Sequence, residues 1–501
     1  MNKEFEEKLK EFKEYLSKIE YLNCASSVLY WDMRVGAPKK GMEYRGEVLG
    51  YLSGELYKLQ TSEKIKEYIE YFSKFNDLDD VTKSMVENVK KQYNETKKIP
   101  EDRYKEYTIL TSKAENAWQE AKDKKDFNIF KPYLEKIVDY KREFISYLGY
   151  DKNKYDTLLD LFEPGITVEK LDVVFKEMRD SIIAILNKIK NSSVKVDKTL
   201  LTKEIDIERQ DRFSKEVLKK MGFDFEAGRV DETEHPFTIE FGNKDVRITT
   251  HYFKDNFISG LLSNVHEGGH AIYEQDIEDD LKGTLLATGV SMGVHESQSR
   301  FYENILGRSK EFWVYFYPIL KERFKEYKDV PFDEFFKAIN LVEPSLVRTE
   351  ADELTYSLHI IIRYEIEKML INGEIEVKDL PKIWNNKYKE YLGVEPTNDA
   401  EGILQDIHWA GGDFGYFPSY ALGNLYGAQF LNKMKEDIKD LNSQISKGNL
   451  DIIHQWLKEN IHKYGSVYKP ADLIKKVTGE ELTAKYFIEY LNEKYKDIYN
   501  L

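Results

Sequence analysis

Apolar residues recur at three- and four-residue spacing along most of this chain, the period that lines them up on one stripe of an α-helix. That pattern predicts helices from about Lys3 to Trp31, broken near Gly36–Gly41, from Met42 to Leu59, and across Ser62–Phe75, Asp79–Thr96, Glu101–Lys122 and Phe127–Leu148. The periodicity pauses at Glu163–Thr167, where Thr167 suits the N-cap of a helix running toward Lys190, and a further helix follows from about Ile205 to Met221. Residues 223–237 lack helical spacing and are rich in turn residues. The period then changes to two: Phe237–Phe241 and Asp245–Thr249 alternate in character around Gly242-Asn243-Lys244, which predicts a β-hairpin. Helical spacing resumes over Asn256–Ile277 and again around Glu296. The fold class is therefore all-α, with a small β element just ahead of the Asn256–Ile277 helix. No internal repeat or low-complexity linker divides the chain, so residues 1–501 are expected to form one continuous domain.

Composition narrows the picture. A length of 501 residues suffices for one large buried core, and 28 Gly and 12 Pro are few for that length, as a helical protein requires. The runs of Lys and Glu read as solvated helix faces, and Tyr104, Tyr107, Trp118 and Tyr133 as core or groove wall. A net charge of −15 argues against nucleic acid or an anionic membrane as partner. One cysteine, Cys24, excludes an internal disulfide framework and fits a reducing compartment. The densely charged N-terminus lacks the apolar core of a signal peptide, and no stretch is long and apolar enough to span a bilayer. A cytoplasmic location is expected.

The candidate chemistry lies in His266-Glu267-Gly268-Gly269-His270, inside the helical run Asn256–Ile277. On a helix the two imidazoles stand one turn apart on one face and can reach one metal ion, with Glu267 beside its open position, the layout of a zinc peptidase. Each glycine inside a helix costs about 0.5–1 kcal/mol relative to Ala, so two in succession predict a close approach to this backbone, for which a bound peptide is the natural candidate. A third protein ligand is needed. Glu296 is preferred and its neighbour His295 competes, because two His with one Glu recur in catalytic zinc sites and His295 would point about a quarter turn away. The hairpin ahead of this helix offers a strand edge on which an extended substrate backbone can pair.

Further motifs follow in order: Asp245-Val-Arg-Ile-Thr249, His295–Arg300 (HESQSR), Val347–Asp352 (VRTEAD), Gly402–Trp409 (GILQDIHW) and Gly415–Asn424 (GYFPSYALGN), with Tyr30–Ser53 toward the N-terminus. In these the chain resembles the carboxypeptidase Taq family of zinc-dependent metallocarboxypeptidases over nearly its whole length; the one departure noticed, Val347 where isoleucine is common, is conservative. The resemblance implies an elongated all-helical fold with a deep central groove, walled or capped in part by the helices of residues 1–150. It also implies a homodimer, and removal of single residues from peptide C-termini with broad specificity.

The residues support that chemistry on their own terms. Zinc held by His266, His270 and Glu296 would activate water and polarise the scissile carbonyl, with Glu267 as general base and then acid. Cobalt or manganese could occupy the same ligands. Resemblance and side-chain chemistry point to Tyr420, with His408 as the other possibility, as second donor to the developing oxyanion. An exopeptidase must also hold the free terminal carboxylate, which a guanidinium fork does best. The candidates are Arg247 and Arg348, against which stand an ordinary cross-strand contact for the first and an ion pair with Glu350 or Asp352 for the second. Asp352 and Asp406 could orient the metal-bound histidines. His359, His454 and His462 carry no motif and read as ordinary core or surface histidines. The competing function is an endo-acting oligopeptidase with the same metal motif on a similar scaffold.

Overall fold

The computed structural model describes residues 3–501. The N-terminal part is helical throughout: α1 (Lys3–Val35), α2 (Met42–Gln60), α3 (Glu63–Phe72), α4 (Asp80–Lys98), α5 (Glu101–Lys124), α6 (Phe127–Leu148) and the short α7 (Lys154–Leu159). Polar side chains start several of these helices. Ser62 accepts a hydrogen bond from Ile65 N, Asp79 from Thr82 N, and Thr167 from Lys170 N at the head of α8 (Val168–Lys190). Each satisfies a backbone donor that the first turn leaves free. After α9 (Ile207–Met221) comes a three-stranded sheet in the order β1–β3–β2. Its members are β1 (Gly228–Glu232), β2 (Thr238–Glu240) and β3 (Val246–Thr250).

The hairpin pair is present, with Ile239 opposite Arg247 in antiparallel register. The first strand is a correction, because β1 lies in the segment read as turn-rich and pairs parallel with β3, Val230 opposite Ile248. Its five residues offer one apolar side chain, Val230, among Gly, Arg, Asp and Glu, so no alternation betrays it.

The rest is again helical, in order α10 (Phe257–Gln275), α11 (Met292–Arg300), α12 (Lys310–Arg323), α13 (Phe332–Ile339), α14 (Glu353–Asn372), α15 (Leu380–Tyr391), α16 (His408–Gly411) and α17 (Pro418–Asp437). Four more helices, Leu441–Ser446, Asp451–Asn460, Pro470–Thr478 and Lys485–Tyr499, complete it. Among the described residues no helix is long and apolar enough to cross a membrane.

The buried apolar residues fall into two clusters. The larger runs from α5 through the C-terminal helix and surrounds α10, α11 and α17. The smaller joins α1, α3 and α4 to Ile277, Leu281 and Leu286 in the connector between α10 and α11, and to Val467. Glu20 on α1 fastens that connector, its carboxylate accepting the backbone N–H groups of Gly283 (2.9 Å) and Leu285 (3.1 Å).

Candidate active site

Two helices bring the candidate ligands together. Asn256 caps α10, accepting from Ser259 N, and the helix is buried along most of its length, including the polar Asn264, Glu267 and Glu274. His266 and His270 lie one turn apart with ring centroids 5.0 Å apart. Across from them on α11, Glu296 Oε2 is 3.8 Å from His266 Nε2 and 3.5 Å from His270 Nε2. The three donor atoms lie within 4.8 Å of one another, so two imidazole nitrogens and one carboxylate oxygen face a common point. That donor set fits a divalent cation such as zinc.

The two glycines between the histidines serve helix packing. A Cβ at Gly269 would stand 2.7 Å from the carbonyl oxygen of Gln298 and 2.8 Å from Ser299 Cα, and one at Gly268 would stand 2.3 Å from Leu218 Cδ2. The close approach predicted from Gly268-Gly269 is thus made by α11 and α9. Gly423 on α17 does the same from the other side, its missing Cβ lying 2.6 Å from Glu296 Cγ. Glu296 is thus approached closely by α17, while α10 packs against Gln298 and Ser299 of the same helix.

The far nitrogens of both imidazoles are also engaged. His266 Nδ1 is 2.8 Å from Glu303 Oε2, and His270 Nδ1 is 2.7 Å from His295 Nδ1. His295 therefore does not point away from the centre: it sits behind His270. Glu303 follows α11 on a π-helical turn, Phe301–Leu306. Arg300 Nε donates to Glu296 Oε1 at 2.7 Å and its Nη1 to Glu303 Oε2 at 3.1 Å, while its guanidinium lies 4.1 Å from the centroid of the Tyr356 ring. Burial alone would raise the Glu296 and Glu303 carboxyls; Arg300 and the imidazoles outweigh it and hold both well below the usual carboxylate range. Burial, with His295 and His266 adding to it, holds His270 down at about 3, which keeps a neutral lone pair on the ring.

Glu267 is buried, and its Oε2 accepts from Thr238 Oγ1 of β2 at 2.6 Å. Burial pushes this carboxyl above its ordinary value, Glu296 and Glu303 adding to the shift while His266 and Thr238 oppose it. A carboxyl raised toward neutrality suits a general base.

The remaining predicted residues divide. Arg348 is buried and pairs with neither Glu350 nor Asp352: its Nη2 donates to Asp406 Oδ1 at 2.9 Å and its Nη1 to Tyr356 Oη at 2.9 Å. It thus shares Tyr356 with Arg300, the residue that clasps Glu296. The Tyr420 ring lies 4.9 Å from the Arg348 guanidinium, and Tyr420 Oη is 3.4 Å from His408 Nε2. Burial and the nearby arginines hold His408 down at about 3, and its Nδ1 is buried without a hydrogen-bond partner. Arg247 is engaged elsewhere, its fork on Asp245 at 2.8 and 2.7 Å and its guanidinium between the Trp31 and Phe241 rings. Neither aspartate considered for the metal histidines is hydrogen-bonded to them: Asp352 caps α14 through Thr355 N, and Asp406 bridges Arg348 and Arg363. Of the unassigned histidines, His462 is fully buried between Asp276 Oδ2 and Gln298 Oε1, each at 2.8 Å.

Sequence reading missed Glu303, Thr238, His295 as a partner of His270, and Glu274 behind it. Glu303 was findable, since it follows Glu296 by seven residues, two helical turns on the same face. Glu274 was findable too, since it follows His270 by four residues, one turn further on the same helix; Thr238 carries no local signal.

Comparison with known proteins identifies the chain's family. A family model described as carboxypeptidase Taq (M32) metallopeptidase matches residues 11–495. Carboxypeptidase 1 of Bacillus subtilis (strain 168) is 50% identical over 494 residues, covering 98% of this chain and 99% of that protein. Thermostable carboxypeptidase 1 of Thermus thermophilus is 39% identical over 499 residues, covering 97% and 98%. The crystal structure of an M32 carboxypeptidase from Deinococcus radiodurans R1 superposes with a TM-score of 0.96 at 32% identity, over 99% of this chain and all of that one (100%).

Proposed function

The chain belongs to the carboxypeptidase Taq (M32) family of metallopeptidases, and on that premise we propose how its own residues carry out carboxypeptidase chemistry. It is a metallocarboxypeptidase; the endo-acting alternative is not favoured, since its named relatives at 39–50% identity are carboxypeptidases. The finer reading is removal of single residues from free peptide C-termini with broad side-chain tolerance. His266, His270 and Glu296 would hold the cation, and zinc is the first choice for two imidazoles and a carboxylate, with cobalt or manganese compatible. The observation that carries this is the convergence of both Nε2 atoms on Glu296 Oε2 at 3.8 and 3.5 Å, with the buried carboxyl of Glu267 next in sequence to His266.

A divalent cation bound there supplies Lewis-acid activation of a water and of the scissile carbonyl. Glu267 takes the proton from the attacking water onto its carboxylate and passes it to the departing amine. Thr238 Oγ1, 2.6 Å from Glu267 Oε2, fixes the direction in which that carboxylate faces. The Tyr420 hydroxyl, with neutral His408 behind it, donates to the oxyanion that develops. Arg348 is the better of the two guanidinium candidates for the substrate's terminal carboxylate, because Tyr356 links it to the clasp around Glu296; Arg247, sandwiched between two rings, is the lesser one. The partners are peptides, not nucleic acid or membrane, in keeping with a net charge of −15. A homodimer in the cytoplasm completes the reading.

The test is mass spectrometry of two peptides of one sequence, one with a free C-terminus and one amidated, incubated with the zinc-loaded enzyme. A ladder of single-residue losses from the free acid, with the amide resisting, is expected; internal cleavage of both would refute the exopeptidase reading. Glu267→Gln should lower turnover by about 10²–10⁴-fold while zinc still binds, and retention of full activity would remove Glu267 from its role.

A further inference from the structure

We propose that Glu240 on β2 selects peptides that carry lysine or arginine just upstream of the bond to be cut. This deepens the exopeptidase reading above and rests on it. In the order β1–β3–β2 the second strand is an edge, with β3 on one side only. Phe237 O accepts from Thr249 N at 2.8 Å, and Phe241 N donates to Asp245 O at 2.9 Å, both toward β3. Backbone groups alternate sides along a strand, so those of Thr238 and Glu240 face the free edge, where an extended peptide can pair. Thr238 marks the place of the scissile bond, because its hydroxyl touches Glu267. Glu240 stands two residues further along, about 7 Å away at the usual strand rise, within reach of a long side chain on a nearby substrate residue. Only one substrate residue lies beyond the scissile bond, and its carboxylate belongs at Arg348, whose partners Asp406 and Tyr356 lie outside the sheet. The residues left to run past Glu240 are those upstream.

The Glu240 side chain belongs to the catalytic face of the sheet. Successive side chains alternate faces, so Glu240 shares that of Thr238, and with it that of their cross-strand partners Val246 and Ile248, both fully buried. The opposite face is covered by α1, with Trp31 on the Arg247 guanidinium at 4.6 Å and Tyr30 against Phe237 with centroids 6.4 Å apart. Glu240 is nevertheless exposed, while enough protein surrounds its carboxyl to push it up to about 7, burial first and Glu274 second, with His295 opposing. An exposed residue so enclosed lies on the wall of a groove. No lysine or arginine among the described residues pairs with it. Glu274 has the same sign and is itself engaged, with His295 Nε2 at 2.8 Å and the N–H of Gly289 at 2.9 Å. A carboxylate that opens on the groove, with a like charge behind it and no cation in front, is complemented by a cation that the substrate brings.

The experiment measures kcat/KM for release of the C-terminal residue from peptides of one sequence, in which the last, the penultimate or the preceding residue is lysine or its neutral isostere norleucine. Wild type should favour lysine over norleucine by about fivefold at one of the two upstream positions, and most of that preference should vanish in about 1 M salt. Glu240→Gln should bring the ratio to about one, and Glu240→Lys should carry it below one. A merely structural role would slow all the peptides alike and leave the ratio unmoved. A wild-type ratio near one at both upstream positions, a preference for lysine at the last residue alone, or a ratio that survives Glu240→Gln would overturn the proposal. If the peptides are cut internally or not at all, the exopeptidase reading falls instead. The same comparison of lysine with norleucine, made on binding to the Glu267→Gln protein by fluorescence anisotropy, would then still decide this one.

Discussion

Replacing Gly269 by Ala should destabilise this protein, although Gly→Ala in a helix interior ordinarily does the opposite. The added Cβ would lie 2.7 Å from the carbonyl oxygen of Gln298, about 0.7 Å inside the 3.4 Å at which ordinary van der Waals contact begins, and 2.8 Å from Ser299 Cα. Both are backbone atoms of α11, so no side chain can rotate to make room, and the whole helix has to move. Overpacking of this kind costs about 1–3 kcal/mol, against a gain of about 0.5–1 kcal/mol for replacing a helical glycine, leaving a net loss of up to about 2.5 kcal/mol. Gly46 on α2 has nothing within 4 Å of its ideal Cβ, so Gly46→Ala should show the helical gain alone. The helical gain is common to both, so the pair should differ by the overpacking cost alone, about 1–3 kcal/mol, for one and the same chemical change. Urea unfolding of the metal-free variants, followed by circular dichroism, measures it. Because α11 carries Glu296, and metal-site geometry tolerates only about 0.5 Å of error, Gly269→Ala should also weaken zinc binding, by about tenfold or more. A Gly269→Ala protein as stable as Gly46→Ala, with zinc affinity unchanged, would refute the close-packing account of the motif's glycines.

Thr238→Val removes the hydroxyl that helps hold the raised Glu267 carboxyl down, so the acidic limb of the kcat/KM profile should move to higher pH, with about a tenfold loss of rate below neutrality; an unmoved limb would exclude the contact from catalysis. Glu163, buried against Gly293 N and Tyr426 Oη, has its carboxyl pushed up by burial to about 7 from 4.5. Its folded value lies above its unfolded one, so the stability it confers is full below pH 4.5 and is lost as pH rises toward 7. The loss amounts to about 3 kcal/mol at about 1.4 kcal/mol per unit. Unfolding across this range should show wild type losing ground to Glu163→Gln as pH rises, and parallel curves would count against it. Arg348→Gln should cut kcat/KM on free-acid peptides by about 10–100-fold, from the loss of a charge-assisted pair of about 1.5–3 kcal/mol, measured by product release, and an undiminished value would dismiss Arg348 as the carboxylate anchor.

The helices were legible because their signal is local. Phe127–Leu148 was predicted at both observed ends, and Thr167 was identified as a cap from its side chain and position alone. The strand at Gly228–Glu232 was not, since its identity comes from pairing with β3 and not from its own residues. The same distinction runs through the site. His266, Glu267 and His270 announce themselves by spacing on one helix, and Glu296 by the helix it sits on. Thr238, which holds the Glu267 carboxyl, lies on β2 and meets it only through tertiary packing. Gly268 and Gly269 were noticed for the right reason, a close approach, but the approaching body is the protein's own α11 and α9. Arg348 reads from the sequence as a candidate for the terminal carboxylate or for an ion pair with Glu350 or Asp352, whereas the partner it has, Asp406, lies 58 residues away, beyond the reach of any local rule.

The connector between α10 and α11 belongs structurally to the N-terminal helices as much as to the helices it joins. Ile277, Leu281 and Leu286 are packed into the cluster of α1, α3 and α4, and Glu20 grips the chain at Gly283 and Leu285. The polypeptide is consequently not modular at this boundary. A truncated gene product starting after α4 would expose a hydrophobic strip midway between His270 and Glu296 and free the backbone that spaces them, so the first hundred residues cannot be exchanged or trimmed as an appendage without loosening the centre.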